Sequence, residues 1–585
     1  MQAAGFDIQH RRIAKYVELC QRMQDLPRHL GQHSGDMVIC GGQLNAVVPI
    51  EHASMPGRTV IQWDKEDCAD MKLIKVDLLG LGMMAVLKDC LTLVPRHYSE
   101  PLDLAQLPQD DPPTYRALQQ ADTVGMFQVE SRAQMSALPR NLPTRFYDIV
   151  VQVAIIRPGP IVGNMMNPYM KRRRGKEPVT YYHPLLEPVL KRTLGIPLFQ
   201  EQLIRMAMIV ANFSGGEADE LRRAVGMRRS MARMKDLDGK LRRGMTANGI
   251  RPDVQEQIIQ SISSFALYGF PESHAASFAL IAYASAYLKC NYLAAFTAAL
   301  LNNQPMGFYS PATIVKDAQR HGLRVKPVDA QGSDWPCTLE PEPNNAQRFA
   351  VRLGLCYARG LRQETAVALV AAREKHPFMS IHDLALRVPE LRKNDLSLLA
   401  TIGALNSLGE VTHRRDALWQ VEYAGRPAGP LLNNLPEQES PASPLAQMTT
   451  EERLVADFSG TRLTIGPHPM AFHRAELRRQ GVLAACELEH LPHGRAARIA
   501  GCVIARQRPD TAKGFVFLSI EDETGIANAI ITPAVYEQCK QVVVYEKFVL
   551  IEGELQNQEN VISVKARTIR PLEISQADVR SHDFH

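Results

Sequence analysis

The feature that most constrains this chain is a change of pattern along its length. Residues 81–345 read as mainly helical, with long stretches such as 275–301, whose Ala, Tyr and Leu content suggests a packed helical core. Residues 497–572 break instead into short β-rich runs at 498–504, 515–520, 526–531, 548–553 and 561–564. At 585 residues the chain is too long for one core, so several domains are expected.

Hydrophobic residues make up 45% and charged residues 22%, ordinary for a soluble globular protein. Polar residues interrupt the longest apolar stretches, so no membrane span is indicated. Met1 is followed by no basic and then apolar leader, so no secretory signal is expected. The ten cysteines are scattered without a Cys-x-x-Cys pair, which argues against a zinc knuckle or a redox motif. A reduced, cytoplasmic protein is the expectation.

Positive charge is concentrated. Residues 157–243 hold 18 Lys/Arg against 8 Asp/Glu, although the whole chain carries only +5. The clusters are Lys171-Arg172-Arg173-Arg174-Gly175-Lys176, Arg222-Arg223, Arg228-Arg229 and the run from Lys240 to Arg243. Such a block is a footprint for a polyanion; a solvated helix face is the alternative. Glu217, Asp219 and Glu220 precede Arg222, as expected for the first turn of a helix. Arg222, Arg229 and Arg233 recur at helical spacing and could line one face to grip phosphates.

The segment from Lys72 to Leu81 reads as a strand. Alternation places Lys75 and Asp77 on one face and Ile74, Val76 and Leu78 on the other, where they could be buried. An ammonium beside a carboxylate suits a metal-nucleotide site, with an ordinary surface charge pair as the alternative.

At this point the chain resembles a family. Lys75-Val76-Asp77-Leu78-Leu79-Gly80-Leu81, Thr123-Val124-Gly125-Met126-Phe127-Gln128-Val129-Glu130-Ser131-Arg132 and Ile156-Arg157-Pro158-Gly159-Pro160 are similar to motifs of the bacterial C-family DNA polymerases. So are Phe199-Gln200-Glu201-Gln202, Ala218-Asp219-Glu220-Leu221-Arg222-Arg223-Ala224 and Tyr268-Gly269-Phe270-Pro271-Glu272-Ser273-His274-Ala275-Ala276, in the same order. The continuation to Met83-Met84 and the ending Arg580-Ser581-His582-Asp583-Phe584-His585 favour the error-prone, damage-induced branch.

The resemblance implies roles. Asp77 corresponds to the third metal-binding carboxylate of the palm, which implies Mg²⁺, and Lys75 to a neighbouring phosphate contact. Arg222 and Arg223 correspond to finger residues that hold the incoming triphosphate. Tyr268 and His274 correspond to residues beside the nascent base pair, with His274 a sugar discriminator; as lone residues, both could equally be satisfied core side chains. The family's upstream Asp-x-Asp pair has no counterpart here. The one Asp-x-Asp, Asp236-Leu237-Asp238, reads as a solvated helix or loop. The phosphoesterase-like domain and the first half of the palm are expected to be missing. A two-metal clamp needs more carboxylates than Asp77, so the chain is expected to be an inactive fragment alone.

The expected fold is multidomain α+β. It runs from the end of the thumb (1–33) and a partial palm (34–80) to helical fingers (81–345) and a tandem helix-hairpin-helix (346–423). A linker and connecting segment (424–495), an OB-fold β-barrel (496–575) and a tail (576–585) follow. In the first hairpin, Gly360-Leu361-Arg362 replaces the usual Gly-hydrophobic-Gly, so Arg362 must compensate by charge for a less close backbone approach to phosphate. The linker is Pro-rich and holds no clean Gln-x-x-Leu-Phe clamp peptide, so a partner protein of a mutagenesis complex is expected to supply the sliding-clamp contact. Phe515 and Phe517 share a strand face near Arg506, Arg508 and Lys513, a surface suited to single-stranded DNA unless both rings are core. Arg172, Arg173, Arg174, Gly360 and Arg362 complete the expected DNA contacts. The implied function is template-directed DNA synthesis in repair and damage-induced mutagenesis, on a DNA primer-template with deoxynucleoside triphosphates. A non-catalytic DNA-binding scaffold is the alternative.

Overall fold

The computed structural model describes residues 10–23, 35–53, 57–63, 65–156, 163–226, 231–266, 270–343, 345–424, 443–509, 512–574 and 582–584. The chain forms two compact units, Met1–Leu81 and Gly82–His585.

The first unit holds the helices Arg11–Met23 and Lys65–Asp70 and four short strands: β1 (Asp36–Ile39), β2 (Ile50–His52), β3 (Thr59–Ile61) and β4 (Ile74–Asp77). β1 pairs antiparallel with β4, and β2 with β3, giving two two-stranded sheets. Sheets this small are marginal on their own. Met37 lies opposite Val76, and Ile39 opposite Ile74, on one face of the first sheet. Met37, Ile39 and Ile74 are 53%, 55% and 64% exposed. Sequence alternation makes this the buried side; with only two strands and no stacked layer among the described residues of the unit, it stays open.

The second unit begins as a helical assembly with the Leu81–Tyr98 helix leading into it. Its helices start where side chains can cap them. Asp111 accepts from the Thr114 amide at 3.0 Å ahead of Pro112–Gln119, and Ser310 caps Pro311–Arg320. The Glu272–Asn291 helix is apolar around much of its circumference and is accordingly central. Its Ala275, Ala279, Ala282 and Ala286 are buried in a core shared with Ile149, Val150 and Val153 of the Phe146–Ile155 helix. A second core, with Leu190, Leu203, Met206, Leu241 and Ile258, binds the helices Gln200–Ala211, Gly215–Gly226, Met231–Ala247 and Pro252–Ala266. Gly244 sits against the Ala211 carbonyl, where any Cβ would collide, so glycine sets this close helix approach.

A three-stranded sheet follows, ordered β5 (Val325–Lys326), β7 (Asn345–Arg352), β6 (Thr338–Glu342). Four helices come next: Gln363–Lys375, Ile381–Arg387, Lys393–Thr401 and Arg414–Ala424. Their apolar faces join the core that starts at Met83 and Val86.

The chain then forms a closed barrel. Its strands are β8 (Ala496–Gln507), β9 (Val516–Glu521), β10 (Ile526–Ile531), β11 (Phe548–Gln558) and β12 (Val561–Pro571), with the Pro533–Tyr545 helix between β10 and β11. The order is β11-β12-β10-β9-β8, and β11 also pairs with β8, which closes the sheet. β10 and β12 run parallel; the other barrel pairs are antiparallel. This is an OB-fold. A short β13 (His582–Phe584) adds to β8. Among the described residues no helix is long and apolar enough to cross a membrane.

Candidate functional site

Lys75 and Asp77 both lie on β4 with exposed side chains. Strand pairing adds a residue that sequence reading missed. Asp36 of β1 is the cross-strand partner of Asp77 and binds the Lys75 ammonium at 2.5 Å. Asp36 is only 10% exposed, so it anchors the lysine from below. One Asp77 oxygen accepts the Leu79 amide at 2.9 Å, a turn that fixes the carboxylate at the strand end. Asp77 fits as one oxygen ligand of a hard cation. A two-metal clamp needs more than Asp77 and a lysine-bound Asp36. The signal for Asp36 was non-local, because β1 and β4 are far apart in sequence.

In the second unit three motifs meet. Phe199 bridges Phe270, the Gln200 amide donates to the Phe270 carbonyl at 3.0 Å, and the Glu272 amide donates to Glu201 at 2.8 Å. The His274 ring packs between Phe270 (5.1 Å) and Phe278 (4.2 Å). Phe278 in turn meets Phe127 edge-on at 5.3 Å. The turn carrying Phe127 is held from inside by Glu130, which accepts from the Gly125 and Phe308 amides at 2.9 and 2.8 Å. Burial pushes the Glu130 carboxyl up to about 7.

Beside this junction lies an open cleft of about 730 Å³ lined by Arg145, Tyr147, Arg192 and Glu272. The Arg192 guanidinium lies over the Tyr147 ring at 4.0 Å, and the Tyr147 hydroxyl donates to Glu272 at 2.8 Å. Arg192 is also 3.8 Å from Glu272. Two guanidinium groups at the cleft suit an anionic ligand. Of these residues only Glu272 falls within a motif legible in the sequence.

Arg222 and Arg223 belong to the Gly215–Gly226 helix and Arg233 to the Met231–Ala247 helix, so the single helical face expected for Arg222, Arg229 and Arg233 is divided between two elements; Arg229 lies outside the described residues. Ser214 and Glu217 cap it reciprocally: the Ser214 amide donates to Glu217 at 2.9 Å and the Glu217 amide to Ser214 Oγ at 3.4 Å. The side chains of Arg222 and Arg223, and all of Tyr268, lie outside the described residues. Asp236 and Asp238 sit on the Met231–Ala247 helix, with Asp238 paired to Arg242 at 3.0 Å.

The 171–176 run differs from a freely solvated block. Arg172 donates to the Thr180 and Leu194 carbonyls at 3.0 and 2.8 Å. Arg173 donates to the Asn141 carbonyl at 3.0 Å and to buried Asp148 at 2.6 Å. These two arginines cross-link the fold, because the carbonyls of part-buried Leu194 and buried Asn141, and the buried Asp148 carboxylate, require donors. Arg174 and Lys176 pair with Glu559 of the barrel.

Gly360 takes φ +94 with open space where a Cβ would stand, at the turn before the Gln363–Lys375 helix. Arg362 at its N-cap donates to the Glu390 carbonyl at 3.1 Å. On the barrel, Phe515 and Phe517 are half-buried and face away from Val516, Leu518 and Ile520, which fill the interior. The Arg132 guanidinium covers the Phe517 ring at 4.2 Å. Arg506 donates to the Val543 carbonyl at 2.7 Å, and Arg508 lies over Tyr536 at 4.6 Å.

A separate acidic group, Asp122, Asp317 and His321, has ligand atoms close enough for a metal. Lys289 already stands there, 3.3 Å from Asp122 and 2.8 Å from Asp317. Burial opposes ionisation of Asp122, yet the His321 hydrogen bond and the Lys289 charge hold it down at about 2. The ammonium does the cation's work, so this is a structural network.

Comparison with known proteins places this geometry. Residues 1–80 match the profile of the bacterial DNA polymerase III alpha NTPase domain, and residues 83–249 that of the bacterial DNA polymerase III alpha subunit finger domain. Residues 322–417 match a helix-hairpin-helix motif, and 497–572 an OB-fold nucleic acid binding domain. The chain is 44% identical over 589 residues to the error-prone DNA polymerase of Alkalilimnicola ehrlichii, covering 100% of this chain and 57% of that protein. It is 44% identical over 586 residues to that of Pseudomonas syringae pv. syringae, covering 99% and 56%. To that of Anaeromyxobacter dehalogenans it is 45% identical over 598 residues, covering 100% and 52%. The chain spans about half the length of the curated relatives it matches.

Through residues 1–80 and 83–249 and the likeness over its whole length, the chain is similar to the DNA polymerase III alpha-subunit family, the bacterial C-family DNA polymerases. Within that family its likeness is to the error-prone polymerases.

Proposed function

We propose that this chain supplies the fingers, part of the palm and the DNA-binding modules of an error-prone DNA polymerase acting in repair and damage-induced mutagenesis. The observation that carries this reading is the interlock of the 123–132, 199–202 and 270–276 motifs beside a cleft bearing Arg145 and Arg192. In it, a DNA primer-template and deoxynucleoside triphosphates are the substrates. Asp77 holds one Mg²⁺, whose chemistry is to neutralise triphosphate charge and sharpen the attacking 3′-hydroxyl. Lys75, held by Asp36, meets phosphate; Arg222 and Arg223 grip the triphosphate; His274 and Tyr268 border the nascent pair. Gly360, Arg362 and Phe515 contact DNA. A mutagenesis-complex partner supplies the clamp contact.

The chain alone is inactive in this reading, since Asp77 and Asp36 cannot form a two-metal clamp. Primer extension with Mg²⁺ tests it: none is expected from the chain alone, and activity is expected once a polypeptide corresponding to the relatives' other half is added. Robust extension by the chain alone, abolished by Asp77→Ala, would overturn it. The helix-hairpin-helix and OB matches also favour a second reading, a DNA-binding scaffold without catalysis. That reading is selected if DNA binds but the reconstituted pair extends no primer.

A further inference from the structure

The tip of the β11–β12 hairpin carries Glu559, and three cations converge on it. Arg140 Nε and Arg174 Nη1 each lie 3.5 Å from its carboxylate, and Lys176 Nζ makes a closer ion pair. Glu559 and Asn560 both take positive φ, 57° and 65°, the two-residue turn that suits a twisted hairpin. Among the described residues no other carboxylate pairs with these three cations. One carboxylate thus faces three positive charges.

The match is also geometrically incomplete. At 3.5 Å the arginines attract Glu559 without close hydrogen bonds, and the buried Arg140 Nε has no hydrogen-bond partner. A planar carboxylate offers two oxygens at one point. Successive phosphodiesters offer several, spread along a backbone, and arginine forks suit them. A phosphate group fits the same three cations at least as well as this carboxylate does.

We propose that Arg140, Arg174 and Lys176 form a binding site for nucleic-acid backbone phosphate, and that Glu559 is its internal occupant, displaced when nucleic acid binds. The inference rests on the nucleic-acid-binding reading above and adds a site and a latch to it. An occupied cup binds more weakly, because the competent state is only a fraction of the total. Release of Glu559 also frees the hairpin tip from the Arg132–Asn141 helix, so one exchange both seats the strand and unclamps the barrel's edge.

The test uses the full chain and a fluorescent oligothymidylate at several salt concentrations. Glu559→Gln should tighten binding by about three- to tenfold. Arg174→Ala and Lys176→Ala should weaken binding more in the Glu559→Gln background than in the wild type. As a second measurement on the wild type, hydrogen exchange of the 558–561 amides should accelerate when oligonucleotide is added. Salt-dependent binding that is indifferent to all three substitutions, or a turn whose exchange does not change, overturns the latch and leaves the general binding reading standing. No binding by the wild type at low salt overturns both. Acceleration by inorganic pyrophosphate but not by oligonucleotide would assign the cup to small phosphates and overturn the proposal as stated.

Discussion

The Arg132 guanidinium lies over the Phe517 ring at 4.2 Å, tying the last residue of the 123–132 motif to strand β9 of the barrel. Burial brings the Arg132 pKa down to about 10, still far above neutrality, so the stack is a cation on a ring at any physiological pH. A base cannot stack on the ring face that Arg132 occupies.

Phe517→Ala should therefore cost stability more than it costs DNA affinity. About 1–3 kcal/mol is expected, with a coupling of about 0.5–2 kcal/mol to Arg132→Ala in a double-mutant cycle. Chemical denaturation of the four chains measures it. A tenfold loss of oligonucleotide affinity with unchanged stability would show that the ring serves DNA instead.

Glu130 should make the second unit less stable as pH rises. Its folded pKa of about 7 lies above the ordinary carboxyl value of 4.5, so between these values the folded state binds the extra proton. Stability is highest below the unfolded value and falls as pH climbs through about 7. His321 adds to the trend near neutrality. Its hydrogen bond to Asp122 raises its pKa, and the stability it brings below its unfolded pKa is lost as pH rises through the folded one. Melting curves from pH 5 to 8 should show Tm falling, and Glu130→Gln should reduce the fall by about 2–3 kcal/mol at most. A Tm that rises over this range would contradict the assignment.

Lys289 is 5% exposed and bridges Asp122 and Asp317. Lys289→Ala leaves two carboxylates without their buried cation, and a loss of about 3–5 kcal/mol is expected. Added Zn²⁺ or Mg²⁺ should restore little of it, since the site is built around an ammonium. Full rescue by a divalent ion would show a metal centre after all.

In an enzyme reconstituted with the relatives' other half, Asp77→Asn should remove nearly all turnover. Arg222→Ala and Arg223→Ala should each lower kcat/KM about ten- to a hundredfold through lost charge-assisted bonds to the triphosphate. Arg228→Ala should matter less. Single-nucleotide incorporation kinetics decide this; equal effects at Arg222 and Arg228 would reduce the region to diffuse positive charge.

What could be read from the chain was local. The five barrel strands are recognisable as alternating runs, yet β11 and β12 extend to Gln558 and Pro571, well past 553 and 564. Gly553 marks a register shift inside β11, where a Cβ would collide with the Lys565 carbonyl, rather than the strand's end. The helical character of much of residues 81–345 was equally visible. Long-range partners were not. Arg172 and Arg173 look like free cations until Leu194 and Asp148 are brought beside them. Asp36 has no motif around it and gains meaning only through its pairing with β4. The Arg145–Tyr147–Arg192 cleft likewise draws on segments that only the tertiary fold assembles.

The β1–β4 sheet has one more consequence. Among the described residues, each strand of this two-stranded ribbon keeps one edge with no ladder partner in a sheet. The ribbon bearing Lys75 and Asp77 is thus a template onto which a further strand can grow from either side. Ribbons of two strands twist more strongly than wider sheets. Any strand that joins β4 would flatten the ribbon and turn the Asp77 carboxylate with it, so that strand addition alone would change where this side chain points.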